Sequence, residues 1–103
     1  MRFLIEVRIP TEEGNAALKD GSLIKQHQKY LNDVKPEAVY YTLANGKRAI
    51  YLVIDIESPD RLPEITEPLW QDLNAEVYVA PVMTPEDFEK AIARIQKIIE
   101  ARK

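Results

Sequence analysis

Apolar and polar residues alternate from Arg2 to Ile9, with Phe3, Ile5, Val7 and Ile9 on one side and Leu4, Glu6 and Arg8 on the other. This period of two is the signature of a strand. Pro10 ends it, and Thr11 followed by Glu12 and Glu13 predicts a helix start, since acids are favoured near a helix N-terminus. Gly14 and the Asp20-Gly21 pair weaken this helix, and a break is expected near residues 20 to 22. Ser22 then predicts the cap of a second helical segment, SLIKQHQKYLNDV. Its Leu23, Ile24, His27, Tyr30, Leu31 and Val34 fall on one stripe. Lys35-Pro36 stops it.

The run VYYTLANGKRAIYLVIDIE, Val39 to Glu57, reads as a hairpin about an Asn45-Gly46 turn. A two-residue turn sets Tyr40 opposite Tyr51, Thr42 opposite Ala49 and Ala38 opposite Val53 on one face. On the other face Tyr41 meets Ile50 and Val39 meets Leu52. Ser58-Pro59 predicts a third helix, expected to be short or kinked because Pro63 and Pro68 each remove a donor. Glu76 to Ala80 alternates again, with Val77 and Val79 on the aliphatic side. Thr84-Pro85-Glu86-Asp87 opens a last helix over 85 to 101, whose Phe88, Ala91, Ile92, Ile95, Ile98 and Ile99 share one face. That face should pack on its own domain or reach across to a partner. Trp70 is expected in the core or in a cavity wall.

Strand, helix, strand, strand, helix, strand and an extra C-terminal helix is an α+β pattern of the ferredoxin-like βαββαβ kind. It predicts a four-stranded antiparallel sheet, with the first strand central and helices on one face. The second face then carries Leu4, Glu6, Arg8, Tyr40, Thr42, Tyr51, Val53, Asp55 and Tyr78. That mixture is too apolar to be simply wet and too polar for a plain core. Two such faces packed about a two-fold axis bury the aromatics and leave room for polar groups.

The segment VIDIESPDRLPEITEPLWQDLNAEVYVAPV, Val53 to Val82, is similar in layout to the corresponding part of muconolactone isomerase. In both, a strand ending in an Asp-x-Glu-Ser type motif leads to a helix and a final strand that ends near a proline. The chain therefore resembles the dimeric α+β-barrel proteins over most of residues 1 to 82. The resemblance implies that two sheets pair face to face into a barrel. Leu4, Glu6 and Arg8 depart from the polar first strand expected of the isomerase, and GNAALKDGSL at 14 to 23 has no counterpart, so no catalytic residue is carried over.

A chain of 103 residues with 46 % hydrophobic and 30 % charged residues reads as one globular domain, 1–103. The formal net charge of −3 argues against a nucleic-acid partner, because neutralising phosphates needs a basic face. Without cysteine there is no disulfide, zinc–thiolate site or Cys nucleophile. No apolar run reaches the roughly 18 residues needed to span a bilayer, and the opening MRFLIEVRIP is too charged for a signal peptide. A cytoplasmic protein without cofactor or metal is the expectation.

Glu6 and Arg8 lie two apart on one strand, so their side chains point the same way, beside Tyr51. A carboxylate, a guanidinium and phenols converging on a cavity can hold a small organic acid, with Glu6 as the base. In that reading Arg8 anchors the ligand carboxylate and Tyr40, Tyr51 and Tyr78 line the wall. The plainer alternative makes Glu6 and Arg8 a structural ion pair at a dimer interface. His27 is the only histidine and lacks a companion for a metal site. It is a partly buried packing residue or a further ligand contact. The sequence thus predicts a homodimeric small-molecule binder or an isomerase or lyase of an organic acid. Its alternative is a non-catalytic dimerisation protein with a filled barrel interior.

Overall fold

The computed structural model describes residues 1–103. Four strands, β1 (Arg2–Ile9), β2 (Ala38–Ala44), β3 (Lys47–Asp55) and β4 (Glu76–Val82), form one sheet in the order β2-β3-β1-β4. Every neighbouring pair is antiparallel. Between them run α1 (Thr11–Lys19), α2 (Ser22–Val34) and α3 (Leu62–Leu73), and α4 (Pro85–Ala101) follows β4. This is the ferredoxin-like α+β arrangement that the element order predicts. The hairpin register is the expected one, Tyr40 opposite Tyr51 and Tyr41 opposite Ile50. Asn45 and Gly46 both take positive φ, as the two-residue turn requires.

The core lies between the sheet and α1, α2 and α3. Ile5 and Val7 of β1 are 0 % exposed, and they meet Leu52 and Ile54 of β3 and Ile65, Leu69 and Leu73 of α3. Gly14, a weak point by helix propensity, is where α1 approaches the sheet closely. A Cβ there would lie 2.7 Å from Arg48 Nη1 and 3.1 Å from Ile9 Cγ2. The same guanidinium donates to Asn15 Oδ1 at 2.9 Å and ties β3 to α1.

Four local expectations are corrected. Ser22 is the first residue of α2 and not its cap. Gly21 takes that position at φ 80°, and Asp20 Oδ1 accepts from the Ser22 N–H at 2.8 Å. A left-handed glycine reverses the chain there, so the side chain two residues back reaches the free donor. The third helix is not short: α3 runs twelve residues after a 3-10 turn at Pro59–Arg61. Pro63 stands in its first turn, where the N–H has no intrahelical partner in any case, so only Pro68 interrupts the bonding. Strand β4 extends past Ala80 to Val82 through Pro81, tolerated because β4 is an edge strand. Trp70 lies in neither core nor cavity wall but is 44 % exposed. It follows the buried Leu69 by about 100° of helical rotation, which carries it off the inward face.

No residue of α4 is buried, so the helix does not pack on its own domain. Its start is well specified by a capping box, in which Thr84 Oγ1 accepts from the Asp87 N–H and Asp87 accepts from the Thr84 N–H.

Tyr30 of α2 joins two helices over the core, its buried O–H donating to the Ile65 carbonyl at 2.8 Å. Burial pushes this phenol well above its ordinary value, so it stays a donor. Tyr30→Phe should lower stability by about 1–2 kcal/mol in urea denaturation, because a buried acceptor loses its partner. An unchanged midpoint would show that the bond contributes nothing.

Candidate functional site

On the open sheet face, the antiparallel register puts Glu6 of β1 between Tyr51 of β3 and Tyr78 of β4. Arg8 Nε donates to Glu6 Oε2 at 2.6 Å, and the Tyr51 hydroxyl donates to Glu6 Oε1. The Arg8 guanidinium also stands 4.7 Å from the Tyr78 ring centroid, within cation–π range. The hydrogen bond from Tyr51, with Arg8 adding to it, holds the Glu6 carboxyl below the usual carboxylate range. The same bond pushes the Tyr51 phenol up. Glu6 and Arg8 keep only 15 % and 23 % of their side-chain surface in water. The structure therefore unites Glu6, Arg8, Tyr51 and Tyr78 in one network. Tyr40 stands beside it in register with Tyr51 and is largely exposed.

His27 lies across the sheet from that network. Between α2, α3 and the helix side of the sheet is a cavity of about 610 Å³, within the size range of small-molecule sites. Its walls include Val7, Leu23, Ile50, Leu52 and Leu69, and none of Glu6, Arg8, Tyr40, Tyr51 or Tyr78 lines it. Its lining also carries polar and charged groups, among them the cations of Lys29 and Arg48 and the carboxylates of Asp33, Glu64 and Asp72. His27 Nε2 is hydrogen-bonded to the Tyr41 hydroxyl, with the two rings edge to face at 5.4 Å. Gln26 Oε1 is buried without a partner, and Arg48 supplies a cation. Burial pushes His27 below its ordinary value, so the imidazole is neutral at pH 7 and one of its two ring nitrogens is a proton acceptor. No group of three or more His, Cys, Asp or Glu side chains is placed to hold a metal ion.

Tyr41, Gln26 and Arg48 were not singled out by sequence reasoning, which followed the tyrosines of the opposite face. The available signal was parity. Tyr41 is the hairpin aromatic on the aliphatic side, the side to which the His27 stripe of α2 also turns.

Four antiparallel strands in this order, with helices on one face, make the chain a ferredoxin-like α+β protein. Residues 1–96 match the family DUF3303, described as a domain of unknown function, and the chain belongs to that family. Among solved structures it is similar to the 5-chloro-2-hydroxyhydroquinone dehydrochlorinase TftG from Burkholderia phenoliruptrix AC1100, in complex with 2,5-dihydroxybenzoquinone. That likeness has a TM-score of 0.63 at 20 % identity, over 84 % of this chain and 97 % of that one, and is one of fold. The de novo designed protein Ferredog-Diesel is similar at 12 % identity and a TM-score of 0.47, over 79 % of this chain and 85 % of that one. No curated protein matches the sequence. No helix is long and apolar enough to cross a membrane.

The depressed His27 titration gives a signed expectation. Protonation favours the unfolded chain, whose histidine has its ordinary value near 6.5. This contribution to stability is therefore full above about pH 6.5 and declines as the pH falls from there toward the lower folded value. Proton NMR of the single imidazole should show a midpoint below 6.5, and His27→Gln should abolish that step in stability. An ordinary midpoint would remove the argument.

Proposed function

We propose that this protein is a homodimeric small-molecule-binding protein whose ligand occupies the helix-side cavity, with the His27–Tyr41 pair at its polar end. The observation that carries the reading is the cavity itself: ligand-sized, walled by aliphatic side chains, and holding a buried acceptor on Gln26 that nothing satisfies. An unsatisfied buried oxygen is costly, and a bound hydroxyl or amide donor removes the cost. A small organic acid fits this set, its apolar body against Leu23, Ile50 and Leu69 and its carboxylate toward Arg48. The similarly folded TftG, held with a benzoquinone, supports a small ring compound as the occupant.

If turnover occurs, neutral His27 is the group able to take a proton from the ligand and return it, the step an isomerase or lyase of an organic acid requires. Glu6, proposed from the sequence as the base, and Arg8 serve the assembly in this reading. They are committed to each other and to Tyr51 on the face that meets its two-fold copy, with Tyr40 and Tyr78 at the rim.

The probe is anilinonaphthalene sulfonate, an aromatic acid that fluoresces in apolar surroundings. It should bind at one site per chain and raise the melting temperature by mass action. Loss of a hydrogen-bonding group worth about 1.4 kcal/mol corresponds to tenfold in affinity, the weakening expected for His27→Ala. Tyr41→Phe should act in the same direction, whereas Glu6→Gln should leave binding unchanged. Fluorescence that ignores His27 and Tyr41 but follows Glu6 would return the site to the sheet face. The dimer has its own check: Tyr51→Glu places an unpaired charge in a desolvated interface and should yield monomers by light scattering.

A further inference from the structure

The helix α4 is an apolar surface with no cover in its own chain. Phe88, Ile92, Ile95, Ile98 and Ile99 are each 38–54 % exposed although they share one face. The molecule measures 61 Å along its longest axis, against 29 and 20 Å along the others. A stripe at spacings of four, three and four residues (Phe88, Ile92, Ile95, Ile99) is a helix-pairing seam. We propose that α4 pairs antiparallel with the α4 of a second copy, Phe88 opposite Ile99 and Ile92 opposite Ile95.

Charge selects that occupant and that direction. The first half of α4 is acidic through Glu86, Asp87 and Glu89, and the second half with its tail is basic through Arg94, Lys97, Arg102 and Lys103. Lys90 and Glu100 are the single exceptions in each half. Such a helix complements itself only when reversed, because a parallel pair sets acid against acid and base against base. Isologous contact about a two-fold axis, in which residue i meets j and j meets i, is the geometry a second copy supplies. Area points the same way. A helix about 25 Å long and 10 Å wide has a footprint of roughly 250 Å², too little alone for a stable interface of about 1,200 Å² in total. The open face of four strands adds roughly 430 Å² per partner, which lifts the combined interface to the required size.

The pairing takes the sheet-face dimer as its frame but stands on residues that contact neither the sheet network nor the cavity. The test uses the full chain and exploits its lack of cysteine, which makes single Cys labels unique. Spin labels at Gln96→Cys and, separately, Arg102→Cys should give defined interspin distances. The Arg102 distance should be longer by roughly 15 Å, because equivalent residues of reversed helices separate by about 3 Å per residue along the axis, about 1.5 Å on each helix, away from the two-fold. The double variant Ile92→Glu with Ile95→Glu should weaken dimerisation at least tenfold while circular dichroism of the monomer shows the folded domain, since no α4 residue is buried against it. Equal short distances at both positions would mean parallel helices and overturn the proposal. So would labels that become immobile only on anionic phosphatidylglycerol vesicles, which would make α4 a membrane-facing helix. A dimer that ignores the α4 double variant but dissociates with Tyr51→Glu would overturn the helix pairing and leave the sheet-face reading standing.

Discussion

A sheet with apolar residues on both faces needs two covers, and this chain places three helices on the same one. Alternation in β1 puts Ile5 and Val7 under α3 with no exposure at all, and by the same periodicity turns Leu4, Glu6 and Arg8 outward. The fourth helix is also left without a partner. Everything distinctive about the molecule follows from that imbalance. The outward face cannot be left as bare aliphatic surface, so its polar groups satisfy one another. Glu6 accepts from Arg8 and Tyr51, and Arg8 rests on the Tyr78 ring. A network closed in this way can be desolvated without stranding a charge.

The covered face has the opposite character. There α2 and α3 do not fill the space above β3, and the residual volume is lined by aliphatic side chains of the sheet and helices together with polar and charged groups, most of them from α2 and α3. Close packing would normally remove such a void, since interiors are as dense as organic crystals. At its walls, Tyr30 anchors α2 to the Ile65 carbonyl and Arg48 fixes α1 through Asn15. The cavity is held open by contacts at its margins.

Much of this was legible in the residue pattern. Asn45-Gly46 admits one turn type and so one register, which put Tyr40 against Tyr51 and Tyr41 against Ile50 without further information. Thr84 and Asp87 fixed the start of α4 by reciprocal bonds. What was not legible depended on three-dimensional packing. Trp70 is apolar, yet the inward face of α3 is decided by Ile65, Leu69 and Leu73 together, and a single large residue cannot outvote them. Gly14 reads as weakness until Arg48 and Ile9 are seen against it. Parity turns His27 and Tyr41 to the same side of the sheet, but their α2-to-β2 contact depends on how the helix lies over the strands, whereas Glu6 and Arg8 share one strand and announce themselves at once.

The strand order β2-β3-β1-β4 also governs the sequence of events as the polypeptide leaves the ribosome. The β2–β3 hairpin closes locally, on the scale of microseconds. Strand β1, made first, gains β3 on one edge only after some fifty residues have followed it, and its other edge waits for β4 near residue 76. Until then a nascent chain exposes a long, strongly apolar strand with unpaired amides, the species most prone to join a neighbour on the same message. Non-local closure of this kind is slow compared with helix formation. Conditions that slow translation past α3 would therefore lengthen the vulnerable interval and favour co-translational aggregation over the native fold.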